Sequence, residues 1–237
     1  MRQIFNLAVS VMFFLLIVSN LFADWRSYVW TYEYKVMKEE WLEFEHYLTL
    51  GSLTKGDMRD LAELEHQLEL ETGIAHNTDI AIYQVFKQTI GNELKYKGYK
   101  IRLRHKIGEK NQYLVDMLGY LEYIGVPDFS KHKIEYKKIF AKDIENFNIA
   151  FNTGLEIEKE DEWKFEYEYA LGANYAINDV FKIGVEFKGS LKEHYVGPTI
   201  FVKLNRIFFT LGSAVALTDV EAGKMPFQIR LISGIGL

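Results

Sequence analysis

The chain has 237 residues, of which 49% are hydrophobic and 15% aromatic, and its formal net charge at pH 7 is -5. This length suits one large domain, and an acidic balance without a clustered basic surface gives no support to a nucleic-acid partner. Because the sequence contains no cysteine, a disulfide framework, thiol chemistry and cysteine-ligated metals are excluded.

Residues 1–23 predict a secretory signal peptide. Arg2 supplies a short positive region, IFNLAVSVMFFLLIVS forms a compact apolar core, and NLFA ends on a small residue just before Asp24. Leu21 lies three residues before the expected cut, where a small residue is commoner, so an uncleaved anchor is the alternative. Either way, the segment indicates export.

The rest of the chain has no apolar run of about 18 residues, so no transmembrane helix is predicted after the leader. A membrane protein would then have to be a closed β-barrel, because only helices and closed barrels satisfy all backbone polar groups in lipid. Whether the pattern supports a barrel depends on the alternation of polar and apolar residues along the chain.

Residues 41–237 alternate between apolar and polar side chains at a period of two, which predicts β-strands. The clearest stretch is WKFEYEYALGANYAI, which no helical spacing explains. The stretch LAELEHQLELETG is ambiguous, since Leu61, Leu64 and Leu68 also recur at helical spacing. A helix there would be isolated among strands, so a strand is predicted.

Twelve strands follow from this pattern, joined by turn-like segments such as GEKN, KEDE and LNR. They cover Trp41–Leu50, Leu61–Glu71, Thr78–Lys87, Tyr99–Ile107, Gln112–Tyr123, His132–Phe140, Phe147–Glu158, Trp163–Ile177, Val180–Gly189, Tyr195–Leu204, Ile207–Leu217 and Phe227–Leu237. Segments of about ten residues are long enough to cross a bilayer at a tilt. Tyr113, Tyr123, Trp163 and Tyr175 lie near strand ends, which suggests aromatic girdles at the two lipid interfaces.

These features predict an all-β chain folded as a single antiparallel up-and-down transmembrane β-barrel of about 12 strands. Its apolar face would contact lipid and its charged face would line the lumen, the reverse of a soluble sandwich. The last strand, FQIRLISGIGL, alternates up to the end of the chain and resembles the C-terminal strand of Gram-negative outer-membrane β-barrel proteins. That resemblance implies recognition by the barrel assembly machinery, although those proteins usually end in Phe and this chain ends in Leu237.

Orientation follows if the last strand runs from the outside to the periplasm. The segments IND, LNR and GEKN then become periplasmic turns, and GSLTKGDMRD, GVPDFSK and TDVEAGKM become outer loops. Residues 24–40, which contain WRSYVWTYEYKV, cannot be a full spanning strand in an even-numbered barrel. They remain open to three placements: a periplasmic extension, a lumen insert or a strand at the seam.

The inward face is predicted to carry two opposite sectors of charge, which should meet because like charges alone would destabilise the sheet. The predicted lumen-lining residues are Glu43, Glu45, Glu63, Glu65, Glu69 and Glu71 in the acidic sector and Lys100, Arg102, Arg104 and Lys106 in the basic one. They would form either a charged constriction that selects small solutes or a salt-bridged plug that conducts little.

Histidines and serines offer little chemistry. His46 and His66 should lie close together on the apolar side if the intervening hairpin is symmetric, yet two imidazoles make an incomplete metal site. The pairs Ser130 with His132 and Ser190 with His194 follow no recognisable lipid-enzyme motif. No catalytic residue, metal or cofactor is therefore predicted.

The sequence thus predicts a protein of the cell outer membrane that acts as a narrow channel or transport-type barrel with a charged lumen. Its expected partners are outer-membrane lipid, the barrel assembly machinery and a small solute or ion. Two alternatives stay open: a structural or adhesion barrel with a plugged lumen, and a soluble periplasmic β-barrel that binds an apolar ligand.

Overall fold

The computed structural model describes residues 25–159 and 162–237. Its twelve strands are β1 Leu42–Thr54, β2 Asp57–Ala75, β3 Thr78–Thr89, β4 Lys95–Ile107, β5 Asp116–Gly125, β6 His132–Ile144, β7 Phe147–Lys159, β8 Trp163–Ala176, β9 Phe181–Ser190, β10 His194–Leu204, β11 Ile207–Ala216 and β12 Phe227–Gly236. The predicted signal peptide, residues 1–23, lies outside the described residues. No helix in the described part of the chain is long and apolar enough to span a membrane.

The strands form one closed barrel in which each is hydrogen-bonded to its sequence neighbours and β1 pairs with β12. All pairings between strands are antiparallel, so the predicted up-and-down barrel of twelve strands is confirmed. We call the end where β12 finishes the C-terminal end. The connections 55–56, 90–94, 126–131, 191–193 and 217–226 lie at the other end, which we call the loop end.

Short turns at the C-terminal end have the residues that their backbone requires. The two-residue connections 76–77 and 205–206 each contain an asparagine at positive φ, Asn77 at 58° and Asn205 at 59°. Asparagine tolerates this left-handed conformation, which tight hairpin turns need because its twist matches the twist of the flanking strands.

The barrel has its apolar side chains outside and its charged side chains inside. On β4, Ile101 and Leu103 are 43% and 39% exposed, whereas the alternate residues Arg102 and Arg104 are 0% and 2% exposed. The same alternation leaves a large apolar surface around the other strands, as at Phe165, which is 66% exposed. The alternation itself follows from strand geometry, since successive side chains point to opposite faces.

Aromatic rings gather near both rims of the apolar surface. At the loop end, Tyr99 lies beside Tyr123 and Phe129, with ring centroids 6.0 and 6.3 Å apart. At the C-terminal end, the Phe147 and Tyr175 centroids are 4.8 Å apart. These positions are where interfacial aromatic girdles lie in transmembrane barrels.

The hairpin between β1 and β2 differs from the prediction. Most of GSLTKGDMRD, expected as an outer loop, is strand, and the connection is only the two residues Lys55 and Gly56. Bulges between Gly51 and Ser52 and between Ser52 and Thr54 shift the register. His46 therefore pairs with Leu68 rather than facing His66 directly.

Candidate functional site

Residues 25–37 run inside the barrel and residues 38–41 lead out of it to β1; we call residues 25–41 the lumen plug. Tyr28 and Val29 are fully buried and Met37 is 2% exposed, although none of them belongs to a strand. The segment approaches β1 at the C-terminal end, where Glu39 forms a bridge with Gly73 of β2. Of the three placements considered for residues 24–40, the structure puts the described part of the segment in the lumen.

The carboxylate of Glu186 on β9 holds the middle of the lumen plug. It accepts hydrogen bonds from three consecutive backbone N–H groups, at 2.9 Å from Val29, 3.0 Å from Trp30 and 2.7 Å from Thr31. Glu186 is itself 2% exposed. A buried carboxylate with this many donors is satisfied, and the plug backbone gains the partners that a strand ladder would otherwise supply.

Further anchors are distributed around the wall. Asn152 on β7 makes a two-way contact with Tyr32, accepting from its N–H at 2.6 Å and donating to its carbonyl at 2.9 Å. Asp79 on β3 accepts from the Met37 N–H at 2.8 Å. Tyr34 donates its hydroxyl to the Gly108 carbonyl at 2.5 Å. The lumen plug is thus bonded to strands on several sides of the barrel.

Two wall glycines make room for the lumen plug. A Cβ added at Gly172 would lie 2.6 Å from the Tyr28 ring, and one added at Gly212 would lie 2.5 Å from Val29 Cγ2. Real Cβ atoms do not approach neighbours this closely, so a side chain at either position requires the facing plug side chain to change or shift.

Arginines and carboxylates form a buried network on the β1–β4 side of the lumen. Arg102 contacts Glu69 at 2.8 Å and Glu71 at 2.5 Å, while Arg104 contacts Glu71 and also Asp79, the latter at 2.6 Å. Ala81 lies in register between Glu71 and Arg102, and its small side chain lets them meet across β3. Ion pairs buried this deeply hold position because loss of one partner leaves an uncompensated charge.

Tyr32 of the lumen plug lies among several of these cations. Arg26 Cζ is 4.1 Å from the centroid of its ring, and Arg102, Arg104 and Lys137 are 5.8, 5.9 and 5.8 Å away. Burial alone would raise the pKa of Tyr32, but Arg26 and Arg102 outweigh it and lower that pKa below its usual value. The cations therefore lie against the π face of the Tyr32 ring.

An open cavity of about 550 Å³ lies between the lumen plug and the loop end; we call it the vestibule. Its wall mixes acids, bases and aromatic rings, among them Glu65, Glu122, Glu135, Glu156, Glu168, Lys100, Lys133, Lys137, Lys188, Arg230, Trp30, Tyr99, Tyr120, Tyr169 and Tyr195. A volume in this range accommodates a small organic solute.

The connection 217–226 is tied to the mouth of the vestibule by Lys224. Its ammonium lies 3.0 Å from Glu166 on β8 and 3.1 Å from Glu193 in the neighbouring connection. Burial would lower the pKa of Lys224, but the bonds to Glu166 and Glu193 raise it well above its usual value. Lys224 is therefore charged at neutral pH and narrows the entrance.

The ten residues predicted to line a channel divide into three groups. Glu65 and Lys100 lie on the vestibule wall, where Lys100 is 3.2 Å from Glu122. Glu43, Glu45, Glu69, Glu71, Arg102 and Arg104 are buried beside the lumen plug, not on the vestibule wall. Glu63 pairs with Lys87 at 2.7 Å, and the Lys106 ammonium lies 5.0 Å from the Tyr34 ring centroid.

Sequence reasoning missed Lys188, Arg230 and the lumen-plug residues Arg26 and Trp30 as vestibule residues. Lys188 and Arg230 occupy polar positions in the alternation of β9 and β12, which is the signal that could have revealed them. No comparable signal in the sequence indicates against which strands the lumen plug lies.

The histidine and serine pairs do not form a reactive group. His46 Nε2 and His66 Nδ1 are 3.0 Å apart, so their predicted proximity is confirmed, but no cluster of three metal-ligating side chains is found among the described residues. Ser130 Oγ donates to Asp128 at 2.7 Å, and His132 contacts the Tyr123 hydroxyl instead.

Comparison with protein families and with curated sequences finds no match to this chain. Solved structures do match its fold. An outer-membrane channel from Pseudomonas putida F1 superposes with a TM-score of 0.64 at 8% identity, covering 89% of this chain and all of the other. A KdgM porin in complex with disordered oligogalacturonate gives 0.59 at 7% identity, and a NanC porin gives 0.57 at 10%; each match covers 83% of this chain and 99% or 100% of the other.

At these identities the similarity shows the fold alone. The chain has the fold of Gram-negative outer-membrane β-barrel channels, as the strand pattern and the C-terminal strand predict. The matched proteins are described as porins and channels.

Proposed function

We propose that the protein is an outer-membrane channel for small solutes or ions, in which the lumen plug restricts passage. The observation that carries this proposal is the vestibule of about 550 Å³ that ends on a hydrogen-bonded segment inside the barrel. An open cavity on one side gives solute a place to enter, and a plug made of one chain segment can move without opening the barrel wall.

Location and orientation belong to the same proposal. The predicted signal peptide exports the chain, and the band of exposed Leu, Ile and Phe contacts outer-membrane lipid. The C-terminal strand is offered to the barrel assembly machinery, with Leu237 in place of the usual Phe. The C-terminal end then faces the periplasm, the lumen plug enters from that side, and the vestibule opens outward.

A structural barrel with a shut lumen is the second candidate. It is favoured by the ion-pair network of Arg102 and Arg104, which is buried and leaves the β1–β4 side of the lumen filled. A soluble periplasmic barrel fits poorly, because residues such as Leu103 and Phe165 would expose apolar surface to water on every side.

A reversible disulfide tests the restricting role of the lumen plug. Val29 Cγ2 lies 2.5 Å from the place of a Cβ at Gly212, so Val29→Cys with Gly212→Cys brings the two Cβ atoms within the ~4 Å that a disulfide needs. The chain has no other cysteine to interfere. In planar bilayers we expect low conductance from the oxidised double variant and a clear increase after reduction.

Each single-cysteine variant is the matched control, since it must give the same conductance with and without reductant. Equal conductance of the double variant in both redox states would contradict a restricting plug. Absence of conductance in every variant, with heat-modifiable migration showing an intact barrel, would favour the structural candidate. Co-fractionation with outer membranes tests the location independently.

A further inference from the structure

Three cationic side chains lie where the lumen plug meets the vestibule. Arg26 belongs to the plug, Lys188 lies on β9 and Arg230 lies on β12, and all three contribute to the vestibule wall. Lys188 Nζ is 4.5 Å and Arg230 Cζ 5.7 Å from the ring centroid of Trp30. One indole ring therefore lies next to two positive charges.

The partners of these cations are neutral. Lys188 donates to the Gln228 side chain at 2.7 Å. Arg230 donates to Thr49 Oγ1 at 2.8 Å and to the Val29 carbonyl at 3.3 Å. Arg26 donates to the Tyr47 hydroxyl at 2.9 Å, and its Nε is buried without a partner.

The carboxylates near the three cations have other partners. Glu193 is paired with Lys224 at 3.1 Å and Glu65 accepts from Gln67 at 2.7 Å, while Glu186, which lies outside the vestibule wall, accepts from the plug backbone. Glu168 on the vestibule wall shares a hydrogen bond with Glu135. Among residues 25–159 and 162–237, no carboxylate lies within ion-pair distance of Arg26, Lys188 or Arg230. By contrast, Lys100, Lys133 and Lys137 on the opposite wall each have a glutamate within 3.2 Å.

Partly buried charges without counter-ions are costly, and a bound anion of opposite charge removes that cost. Lys188 and Arg230 are only partly buried, so their remaining donors can be reached from the vestibule. Arginine and lysine donors are well suited to the oxygens of carboxylate and phosphate groups.

We propose that Arg26, Lys188 and Arg230 form a binding site for an oxyanion group, a carboxylate or a phosphate, carried by a solute that enters the vestibule. This inference rests on the proposed function for the biological meaning of the site, and it names the solute class as anionic. Because Val29 and Trp30 belong to the plug and contact Arg230 and Lys188, a bound anion lies against the segment that restricts passage.

Trp30 provides the readout. Purified protein in detergent is titrated with sodium citrate and, separately, with sodium phosphate, while sodium chloride holds the ionic strength constant. We expect a saturable change in tryptophan emission with at least one of the two anions, and its loss in Trp30→Phe. A response to citrate alone assigns a carboxylate, and a response to phosphate alone assigns a phosphate.

The double variant with Lys188→Met and Arg230→Met should bind the anion with at least tenfold lower affinity than the wild type. Lys87→Met is the matched control, because Lys87 is a lumen-facing lysine that is paired with Glu63 and lies outside the vestibule wall. The affinity of this variant for the anion should stay within twofold of the wild-type value. Heat-modifiable migration checks that each variant is folded, and the single variant Lys188→Gln repeats the test if the double variant is not.

No saturable change in the wild type, or equal affinity in a folded Lys188 variant, overturns the anion site. The titration needs neither a membrane nor a current. Anion binding without conductance in any redox state would thus contradict the channel function and support the anion site. Conductance without anion binding would support the channel function and contradict the anion site.

Discussion

Replacing Glu186 by alanine should release the lumen plug from the wall. The substitution removes the acceptor of three backbone N–H groups, those of Val29, Trp30 and Thr31, while the outward-facing residues of β9 are unchanged. Hydrogen bonds to a charged group are worth about 1.5–3 kcal/mol each, and losses at one shared acceptor are not fully additive. We therefore expect the docked plug to lose about 3–5 kcal/mol relative to the released one.

A loss of that size shifts the ratio of released to docked plug by about two to three and a half orders of magnitude, since about 1.4 kcal/mol is tenfold. Limited trypsin digestion reports the released population, because cleavage follows opening when opening is fast. The bond after Arg26 is the useful site, since Arg26 is 6% exposed in the docked plug. Mass analysis of the fragment separates this cut from cuts at the exposed Lys38.

Glu186→Gln keeps one carbonyl oxygen and should give an intermediate rate of cleavage after Arg26. Glu63→Gln is the matched control, because Glu63 pairs with Lys87 on the wall and the rate should remain that of the wild type. If folded Glu186→Ala is cut after Arg26 no faster than the wild type, the carboxylate does not hold the plug and the reasoning fails.

Four further predictions concern other parts of the barrel. Tyr32→Leu removes cation–π contacts of about 0.5–1 kcal/mol each and should raise both trypsin cleavage of the plug and conductance. Arg104→Met leaves Asp79 as an uncompensated buried charge and should lower the free energy of unfolding in urea by about 3–5 kcal/mol. Leu103→Arg places a charge on the lipid-facing side and should cost about 2–4 kcal/mol of folding into vesicles, with loss of heat-modifiable migration as the visible sign. Lys224→Ala frees the connection 217–226 and should increase the conductance of the reduced, plug-released channel; equal conductance would show that this connection does not narrow the mouth of the vestibule.

The barrel itself was predictable because its two faces contact different surroundings. A strand between lipid and an enclosed lumen must alternate, so a charged residue such as Arg102 next to an exposed Leu103 reveals both the strand and its sides. The predicted strand ends were wrong in the β1–β2 hairpin, where local backbone geometry rather than the alternation of the two faces sets the length of the strands. β1 and β2 continue through most of the segment predicted as an outer loop, and bulges at Gly51–Thr54 shift their register, so that His46 pairs with Leu68 while its ring still contacts His66.

The candidate site was less predictable than the barrel. Alternation placed Arg102 and Arg104 inward, but it carried no information about what would fill the lumen next to them. The plug segment has no period, and its backbone is satisfied by side chains distant in sequence, such as Glu186, 157 residues from Val29. Such contacts have no local sequence pattern, so the sequence does not show whether an inward-facing residue lines a pore or holds the lumen plug.

What the sequence alone determined is which strand residues share a face of the wall, since a period of two separates the faces without knowledge of any neighbour. The long strands, the predicted signal peptide and the large aromatic residues on the apolar face then indicated that this face meets lipid. Tertiary structure decided which inward charges neutralise each other and which remain available. That outcome depends on the path of residues 25–41: the segment lies over the network of Arg102 and Arg104 and leaves Lys188 and Arg230 facing the vestibule. Charge pairing is a property of distances between strands and plug, and only closure of the barrel sets those distances.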